Sequence, residues 1–449
     1  MNTFFSEKRT GPELFLTCVS VCALVLISVS FLIRAGGSHA DLYNFLLLRL
    51  IQPVTFFLLA YVVFTGKVFR NKAWLLLLLL ALWYLFCCYA DRWVFELKKS
   101  EQKVFLYFLI SAAVTFPFAK VTKDVNDRKI LDVFLGVMIL ACSVLWWTAY
   151  VGVYNHELYT VLGYNFGAEY TYTGRLILRI MSMHQYRSGF IASAFAFISF
   201  YLAVSHPKKP VIIAAVLMEI TYIPSVIMSG GRTDIFGFAI GILYILVLLI
   251  RRKKLSKKVR IAAAAGAAAG ITAAAFEGMN LVYRHVTHSI RDVWYGMTTL
   301  TSRTEIWGGL IASYKDNPKA LWTGYPWYNA MDIANEYIPL EDEIPHMHSS
   351  FMQTLAVCGI PGLALMIAVI LCVIINGLRI FKADEESGAG FKEKLLFTVP
   401  LCMILEGTME IIIFADTSEC IFANALFMLL SGYVVFTGEK LNEDDRIRN

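Results

Sequence analysis

The sequence predicts an all-α protein that crosses a membrane many times, and its composition and apolar runs support this fold class. Hydrophobic residues make up 58% of the 449 residues and charged residues only 16%, whereas soluble domains carry about 25% charged residues. Apolar runs such as 13–33, 73–90 and 234–250 come close to the length of about 20 residues that a helix needs to cross a bilayer. The pattern predicts a single integral membrane domain over residues 1–449.

The apolar runs predict about 12 transmembrane helices. The first run is too long for a signal peptide, so it is interpreted as the first span. The predicted spans are 13–33, 42–64, 73–90, 103–119, 130–151, 187–205, 210–229, 232–250, 260–281, 349–377, 394–414 and 419–437.

The positive charges favour one orientation of these spans. Lys and Arg are more frequent in the alternate connections that include the short basic loop RRKKLSKKVR at 251–260, and cytoplasmic loops carry such an excess. Both termini are therefore predicted to be cytoplasmic. The basic loop is interpreted as a topology anchor on anionic lipid, and no nucleic-acid partner is expected.

The longest connection, residues 282–348, is predicted to be a structured loop on the outer side of the membrane. It contains four tryptophans, which a disordered segment would lack. Ser302 and Glu305 have the spacing of a capping box, apolar residues follow at helical spacing, and Pro318 comes next. These signals predict a helix from about 303 to 316.

Two arginines are candidate ligands for a phosphate group. Arg232 and Asp234 follow two glycines at the start of the eighth predicted span, and Arg303 begins the predicted loop helix. A helix N-terminus offers N–H groups to an anion, and the arginine fork matches phosphate oxygens. An interfacial Arg232–Asp234 ion pair and an exposed loop charge remain the alternatives.

The histidine pair His346 and His348 lies at the edge of the tenth predicted span. A neutral imidazole can accept a proton near physiological pH, so His348 is a candidate general base beside the arginines. A zinc site with His285 and His288 is an alternative, but no carboxylate or cysteine occurs at a recurring ligand spacing. The third interpretation is a structural histidine at the membrane interface whose hydrogen-bonding groups all have partners.

Further charged residues could face the same cavity. Arg175 and Arg179 are four residues apart and are predicted to share a helix face. Arg187 follows them, and Arg49 lies within the second predicted span. Substrate binding and ordinary loop charges are both open interpretations of these residues.

Two acidic residues and two aromatic residues complete the candidate site. Glu406 and Glu410, one helical turn apart in the eleventh predicted span, could balance the arginines or orient His348. Tyr325 and Trp327 could stack on sugar faces, with interfacial anchoring as the alternative.

Several motifs in this order are similar to a known family. The sequence has SGGR at 229–232, SRTEIW at 302–307, a glycine-containing turn, and HSSFMQTLAVCGIPG at 348–362. The chain thereby resembles the O-antigen ligase and O-antigen polymerase superfamily, over residues 180–380 in particular. It departs from the family pattern at Ser349, where asparagine is frequent, and at the turn 324–326, which reads GYP rather than GxG.

The resemblance implies a GT-C-like, inverting and metal-independent glycosyltransferase at the outer face of the bacterial cytoplasmic membrane. It would move a glycan from undecaprenyl pyrophosphate to an acceptor hydroxyl in surface polysaccharide assembly, without a cofactor. Carried over, Arg232 and Arg303 would hold the pyrophosphate and His348 would be the essential histidine. His346 lies on the loop side, behind Pro345, and is interpreted as a neighbour that tunes or gates His348 and as a possible substrate-binding residue.

The acceptor, which distinguishes a ligase from a polymerase, is not specified by the sequence. The candidates are another glycan repeat unit, a lipid core, a wall polymer and a protein. A lipid-linked glycan flippase or another polysaccharide transporter is the alternative function. A transporter is expected to carry charges along a path through the membrane, whereas most candidates here lie at its edge.

Overall fold

The structure is a computed structural model of the full chain. It describes residues 71–89, 116, 128–155, 158–161, 164–170, 176–180, 185–206, 208–229, 231–252, 256–287, 303–325, 330–338, 344, 346–383, 391–414 and 421–448. The helices in these ranges are α1 Lys72–Tyr89, α2 Arg128–Asn155, α3 Gln185–Ser205, α4 Lys209–Met228, α5 Arg232–Arg251, α6 Lys257–Thr287, α7 Arg303–Asp316, α8 Ala320–Thr323, α9 Ala330–Asn335, α10 Ser350–Lys382, α11 Phe391–Leu396, α12 Thr398–Glu406 and α13 Ile421–Arg448.

In the part of the chain that the structure describes, six helices are long and apolar enough to cross a membrane. They confirm an α-helical, multi-pass membrane protein, and they lie at six of the predicted spans: Leu131–Asn155, Ser188–Ser205, Lys209–Met228, Thr233–Arg251, Ser350–Lys382 and Phe422–Glu443. A shorter apolar helix, Lys72–Cys87, lies at a seventh. The predicted spans 13–33 and 42–64, and 103–119 apart from Phe116, fall outside the described residues.

The bundle is organised around two helices that are buried on almost all sides, α3 and α13. Helix α3 packs on α4 and α5, and α13 packs on α10. The surrounding helices keep one apolar face exposed; on α5 this face carries Phe236, Leu243 and Ile250. An exposed apolar face is what a membrane helix presents to lipid.

A small sheet follows α2, and the sequence did not predict it. Strands β1 Leu158–Val161, β2 Tyr164–Tyr170 and β3 Leu176–Arg179 form an antiparallel sheet in the order β1-β2-β3. Arg179 lies in β3 opposite Gly167. The prediction that Arg175 and Arg179 share a helix face is therefore wrong, because residues 176–179 are extended.

The segment between α6 and α10 contains the predicted helix. Helix α7 runs from Arg303 to Asp316, which confirms the bounds expected from the sequence. Helices α7, α8 and α9 pack into a second hydrophobic cluster with the end of α1 and the start of α10, through residues such as Leu310, Tyr314 and Met347. The loop helices are thereby fixed to the bundle.

The eleventh predicted span, 394–414, is not one continuous helix. It consists of α11, α12 and a non-helical stretch from Gly407 to Phe414. The N–H groups of Thr408 and Met409 donate to carbonyls three residues earlier, which tightens the last turn and ends the helix. Glu406 therefore closes α12, whereas Glu410 lies beyond the helix in the stretch that folds back over α10.

Candidate functional site

Helix ends meet at one end of the bundle. Gly189 near the start of α3 lies against Asp234 in the first turn of α5 and against Ser229, which follows α4. Arg303, the first residue of α7, reaches Glu410, which follows α12. The backbone of Glu410 in turn contacts Ser350 at the start of α10.

Glu410 joins the two sequence-predicted residues Arg303 and His348. Its Oε1 forms an ion pair with Arg303 Nη2, and its Oε2 lies 3.8 Å from His348 Nδ1. The exposed fractions of the side chains are 12% for Arg303, 7% for Glu410 and 25% for His348. The histidine is thus the most accessible of the three, and the carboxylate between the arginine and the imidazole is nearly enclosed.

Ser350 fixes the position of the stretch that carries Glu410. Its N–H donates to Gly407 O at 2.9 Å and to Glu410 O at 3.1 Å, and its hydroxyl donates to Glu410 O at 3.0 Å. The hydroxyl oxygen of Ser350 also accepts from the N–H groups of Ile412 and Ile413, at 3.0 and 3.3 Å. Ser350 therefore fastens residues 407–413 to the start of α10, two residues after His348.

The turn His346–Met347–His348 is held from three sides. Trp307 Nε1, one helical turn after Arg303 on α7, donates to Met347 O at 2.8 Å. The Met347 N–H donates to Gln353 Oε1 at 3.1 Å, and the His348 N–H donates to His346 Nδ1 at 3.2 Å. The backbone of His348 is left-handed, with a φ of 49°. This conformation is costly for a residue other than glycine and is often found at functional sites.

Ser349 begins α10 as its N-cap. Its side chain accepts from the Met352 N–H at 3.3 Å, which satisfies one of the free N–H groups of the first turn. The helix thus starts where the tenth predicted span, 349–377, begins.

Two more carboxylates are buried near Glu410. Asp234 has no exposed surface and interacts electrostatically with both Glu410 and Arg303. Glu406, 1% exposed, interacts with Asp234 in the same way. Glycines make the room: a Cβ at Gly189 would overlap the Asp234 carboxylate, and one at Gly237 would overlap Glu406.

A kink in α10 and a turn after α8 fit into each other below the histidine turn. Gly324 (φ 71°, ψ −179°) and Gly359 (φ 62°, ψ −168°) both have a backbone conformation that is essentially restricted to glycine. A Cβ at Gly359 would lie 2.5 Å from the Trp322 carbonyl, and one at Gly324 would overlap the Val357 carbonyl. Residues 321–325 and 356–359 therefore form one close contact between the loop and α10.

The kink frees carbonyls of α10, and other elements supply their donors. Tyr314 OH donates to Leu355 O at 3.0 Å, the Tyr325 N–H to Ala356 O at 2.7 Å, and Trp83 Nε1 to Cys358 O at 2.8 Å. Burial raises the pKa of the Tyr314 hydroxyl, which therefore stays protonated as a donor.

Tyr325 does not have the accessibility that sugar stacking would need. It is 2% exposed, stacks on Tyr314 with 5.6 Å between ring centroids, and donates its hydroxyl to Ser313 Oγ at 3.0 Å. Its interpretation as a sugar-stacking residue is corrected to packing between α7 and α10.

Several predicted site residues cannot be placed. Arg232 is the first residue of α5 and Arg187 lies in the first turn of α3, but only their backbone is described, as is the case for Arg179. Arg49, Arg175 and Trp327 lie outside the described residues.

Three residues at the site received no functional role from the sequence: Trp307, Ser350 and Gln353. The spacing of Arg303 and Trp307 was a usable signal, because residues four apart share a helix face. Ser350 binds a stretch 60 residues away, and no local pattern encodes such a contact.

Among the described residues, no group of three or more His, Cys, Asp or Glu side chains could hold a metal ion. The side chain of His285 and all of His288 lie outside the described part, so the zinc alternative is open.

The helices and the site define a polytopic membrane protein with a buried polar cluster at one end of its bundle. Residues 220–367 match the family model described as O-antigen ligase. The match runs from within α4 to within α10 and includes Arg232, Asp234, Arg303 and both histidines of the turn. It confirms the resemblance and places this region in the O-antigen ligase and polymerase superfamily.

The family implies a glycosyltransferase of the ligase or polymerase type in surface polysaccharide assembly. The family likewise implies a lipid-linked glycan and an acceptor as partners in the membrane. A search of the curated proteins finds no match to the chain.

Proposed function

We propose that the protein transfers a glycan from undecaprenyl pyrophosphate to an acceptor hydroxyl at the outer face of the bacterial cytoplasmic membrane. The observation that carries the proposal is the meeting of Arg303 and His348 on one carboxylate, Glu410. It brings a phosphate-binding group and a base together at the end of an apolar bundle. A lipid pyrophosphate has this same division, with its charged head at the interface and its polyprenyl tail in lipid.

The distribution of basic residues supports the outer location. At the opposite end of the bundle, the Arg252 guanidinium lies 4.6 Å from the centre of the Phe391 ring, and Lys392 Nζ donates to Ser205 O at 2.8 Å. These two basic residues lie where the ends of α3 and α5 meet the start of α11. Because a basic end faces the cytoplasm, the site faces outward. With the full set of about 12 predicted spans, an even number, both termini are then cytoplasmic.

The proposed reaction is a displacement at the anomeric carbon with inversion, of the GT-C type. His348 takes the proton of the acceptor hydroxyl while its oxygen forms the new bond to the anomeric carbon. The bond from that carbon to the pyrophosphate oxygen breaks, and its electron pair leaves on the pyrophosphate. Arg303, together with Arg232, stabilises the charge that develops there. The proton then passes from the imidazolium to solvent, and no metal or cofactor takes part.

The remaining sequence candidates extend the same site. Arg49, Arg175, Arg179 and Arg187 would add positive charge around the glycan-bearing head group, and Trp327 would contact a sugar. The acceptor is a second repeat unit for a polymerase, and a lipid or wall polymer for a ligase. Single repeat units on the surface of a deletion strain would indicate a polymerase, whereas full-length unattached chains would indicate a ligase.

The proposal is tested at His348. We expect His348→Ala to abolish surface glycan while the protein still folds and reaches the membrane. His348→Asn is the companion variant, because asparagine tolerates the left-handed backbone and separates loss of the base from a change in the turn.

His206→Ala is the control, because it removes a histidine at the opposite end of α3, where His206 Nδ1 accepts the Lys208 N–H at 3.2 Å. Surface glycan at the parental level in His348→Ala would refute the assignment of the base. Movement of the lipid-linked donor across reconstituted membranes, without new glycosidic bonds, would favour the flippase.

A further inference from the structure

We propose that Glu410 is an internal counter-ion that pairs with Arg303 until the donor binds. Once the donor is bound, Glu410 pairs with His348 and positions its imidazole. This inference rests on the proposed function and assigns a sequence of two states to its site. In the donor-free state the carboxylate pairs with Arg303. In the donor-bound state the pyrophosphate replaces it, and the carboxylate pairs with His348 alone.

In the structure, Arg303 and His348 share one carboxylate. The ion pair of Glu410 with Arg303 is close, whereas the contact of Glu410 Oε2 with His348 Nδ1 is 3.8 Å. A distance of 3.8 Å is within reach of an ion pair but too long for a hydrogen bond. The histidine is therefore near its partner without being hydrogen-bonded to it, because Arg303 holds the carboxylate.

A pyrophosphate can displace this carboxylate. It carries more negative charge than one glutamate and offers several oxygens to the planar fork of Arg303. The pyrophosphate takes over the negative charge that Glu410 withdraws from the arginine. The exchange consequently leaves no buried cation without compensation.

Only the side chain of Glu410 has to move. The hydroxyl and N–H of Ser350 hold the backbone of the 407–413 stretch, so rotation about the side-chain bonds brings Oε2 to His348 Nδ1. A carboxylate at Nδ1 holds the imidazole proton on that nitrogen and leaves Nε2 to take the acceptor proton. It also stabilises the imidazolium that forms.

The neighbouring groups that face this histidine are consistent with the exchange. His346 accepts the His348 N–H at its Nδ1, so it faces the backbone of this histidine through a nitrogen that acts as an acceptor. Among the described residues, the carboxylate that lies within 4 Å of the His348 ring nitrogen is that of Glu410.

The test is Glu410→Gln, a substitution that keeps the size of the side chain and removes its charge. Its dissociation constant for undecaprenyl pyrophosphate in nanodiscs is expected to fall by about 3- to 10-fold, because the internal competitor is gone. The turnover of glycan transfer, measured with the lipid-linked glycan that accumulates in a deletion strain, is expected to fall by about tenfold or more, because the base loses its partner. Tighter binding with slower transfer is a combination that a merely structural role would not produce.

Two further variants complete the design. Glu410→Asp keeps the charge and is expected to return the dissociation constant toward the parental value. Glu336→Gln removes an exposed carboxylate beyond α9 and is expected to leave both binding and turnover unchanged.

Arg303→Ala distinguishes failure of this inference from failure of the proposed function. If Arg303→Ala binds undecaprenyl pyrophosphate as tightly as the parent, the phosphate role of Arg303 is wrong. If Arg303→Ala weakens binding but Glu410→Gln leaves it unchanged or weakens it as well, the counter-ion exchange alone is overturned. In the Arg303→Ala background, Glu410→Gln is expected to give no further gain in affinity, since the pair acts as one unit.

Discussion

Replacement of Ser350 by alanine is expected to destabilise the protein more than replacement of Ser349, although both serines are buried and adjacent. Both side chains are 1% exposed, so burial alone predicts equal effects. They differ in the bonds that they make. The Ser349 hydroxyl accepts a single N–H bond, from Met352 at 3.3 Å. The Ser350 hydroxyl makes three bonds, because it accepts from the N–H groups of Ile412 and Ile413 and donates to Glu410 O.

The magnitudes follow from the groups that are left without partners. Ser350→Ala leaves two buried N–H groups without their acceptor, each costing about 1–3 kcal/mol. Glu410 O retains the Ser350 N–H, so it adds little. The expected loss in the free energy of unfolding is about 2–6 kcal/mol for Ser350→Ala and about 1 kcal/mol for the N-cap variant Ser349→Ala.

The assay is unfolding in mixed detergent micelles, together with the rate of glycan transfer by the folded protein. Transfer is expected to fall further in Ser350→Ala than in Ser349→Ala, because the former releases the stretch that positions Glu410. Equal free energies of unfolding for the two variants would refute the view that Ser350 fastens residues 407–413 to α10. A stable Ser350→Ala protein with parental transfer would show that the position of Glu410 does not matter.

Two other predictions concern the glycines and metal dependence. Gly324→Ala is expected to lower the free energy of unfolding by about 3 kcal/mol or more, because alanine would have to adopt a glycine-only conformation and its Cβ would overlap the Val357 carbonyl. The control is Gly308→Ala, where a Cβ meets nothing within 4 Å, and it should raise the free energy of unfolding by about 0.5–1 kcal/mol. The reverse order of the two values would contradict the packing of the loop on α10. Glycan transfer is expected to survive EDTA, whereas loss of transfer that added zinc restores would favour a metal site with His285 and His288.

Local signals made the loop helix predictable. The capping pattern at 302–305, apolar residues at helical spacing and Pro318 all act within a few residues, and the helix observed from Arg303 to Asp316 has the expected bounds. Six predicted spans likewise correspond to long apolar helices, because a helix that crosses lipid must satisfy its own backbone groups and be apolar along its length.

The features that the sequence did not reveal depend on long-range contacts. Hydropathy identified the run 394–414, but it could not show that the chain leaves the helix at Gly407, since the replacement partners for the backbone come from Ser350. The sheet at 158–179 depends in the same way on pairing between strands. The four-residue spacing of Arg175 and Arg179 suggested a helix only because that pairing is invisible in the sequence.

The backbone of His348 links the fold to the proposed chemistry. A φ of 49° costs a non-glycine residue about 1–2 kcal/mol, and such a conformation persists only where surrounding contacts determine it. Here Trp307 and Gln353 bond the two backbone groups of Met347, while the N-cap Ser349 starts α10 immediately afterward. Asparagine or glycine would adopt this backbone with less strain, yet the position carries an imidazole that faces Glu410. The strain is therefore best explained by the need to hold a titratable ring between the loop helix and the carboxylate, which is what a base for the acceptor hydroxyl requires.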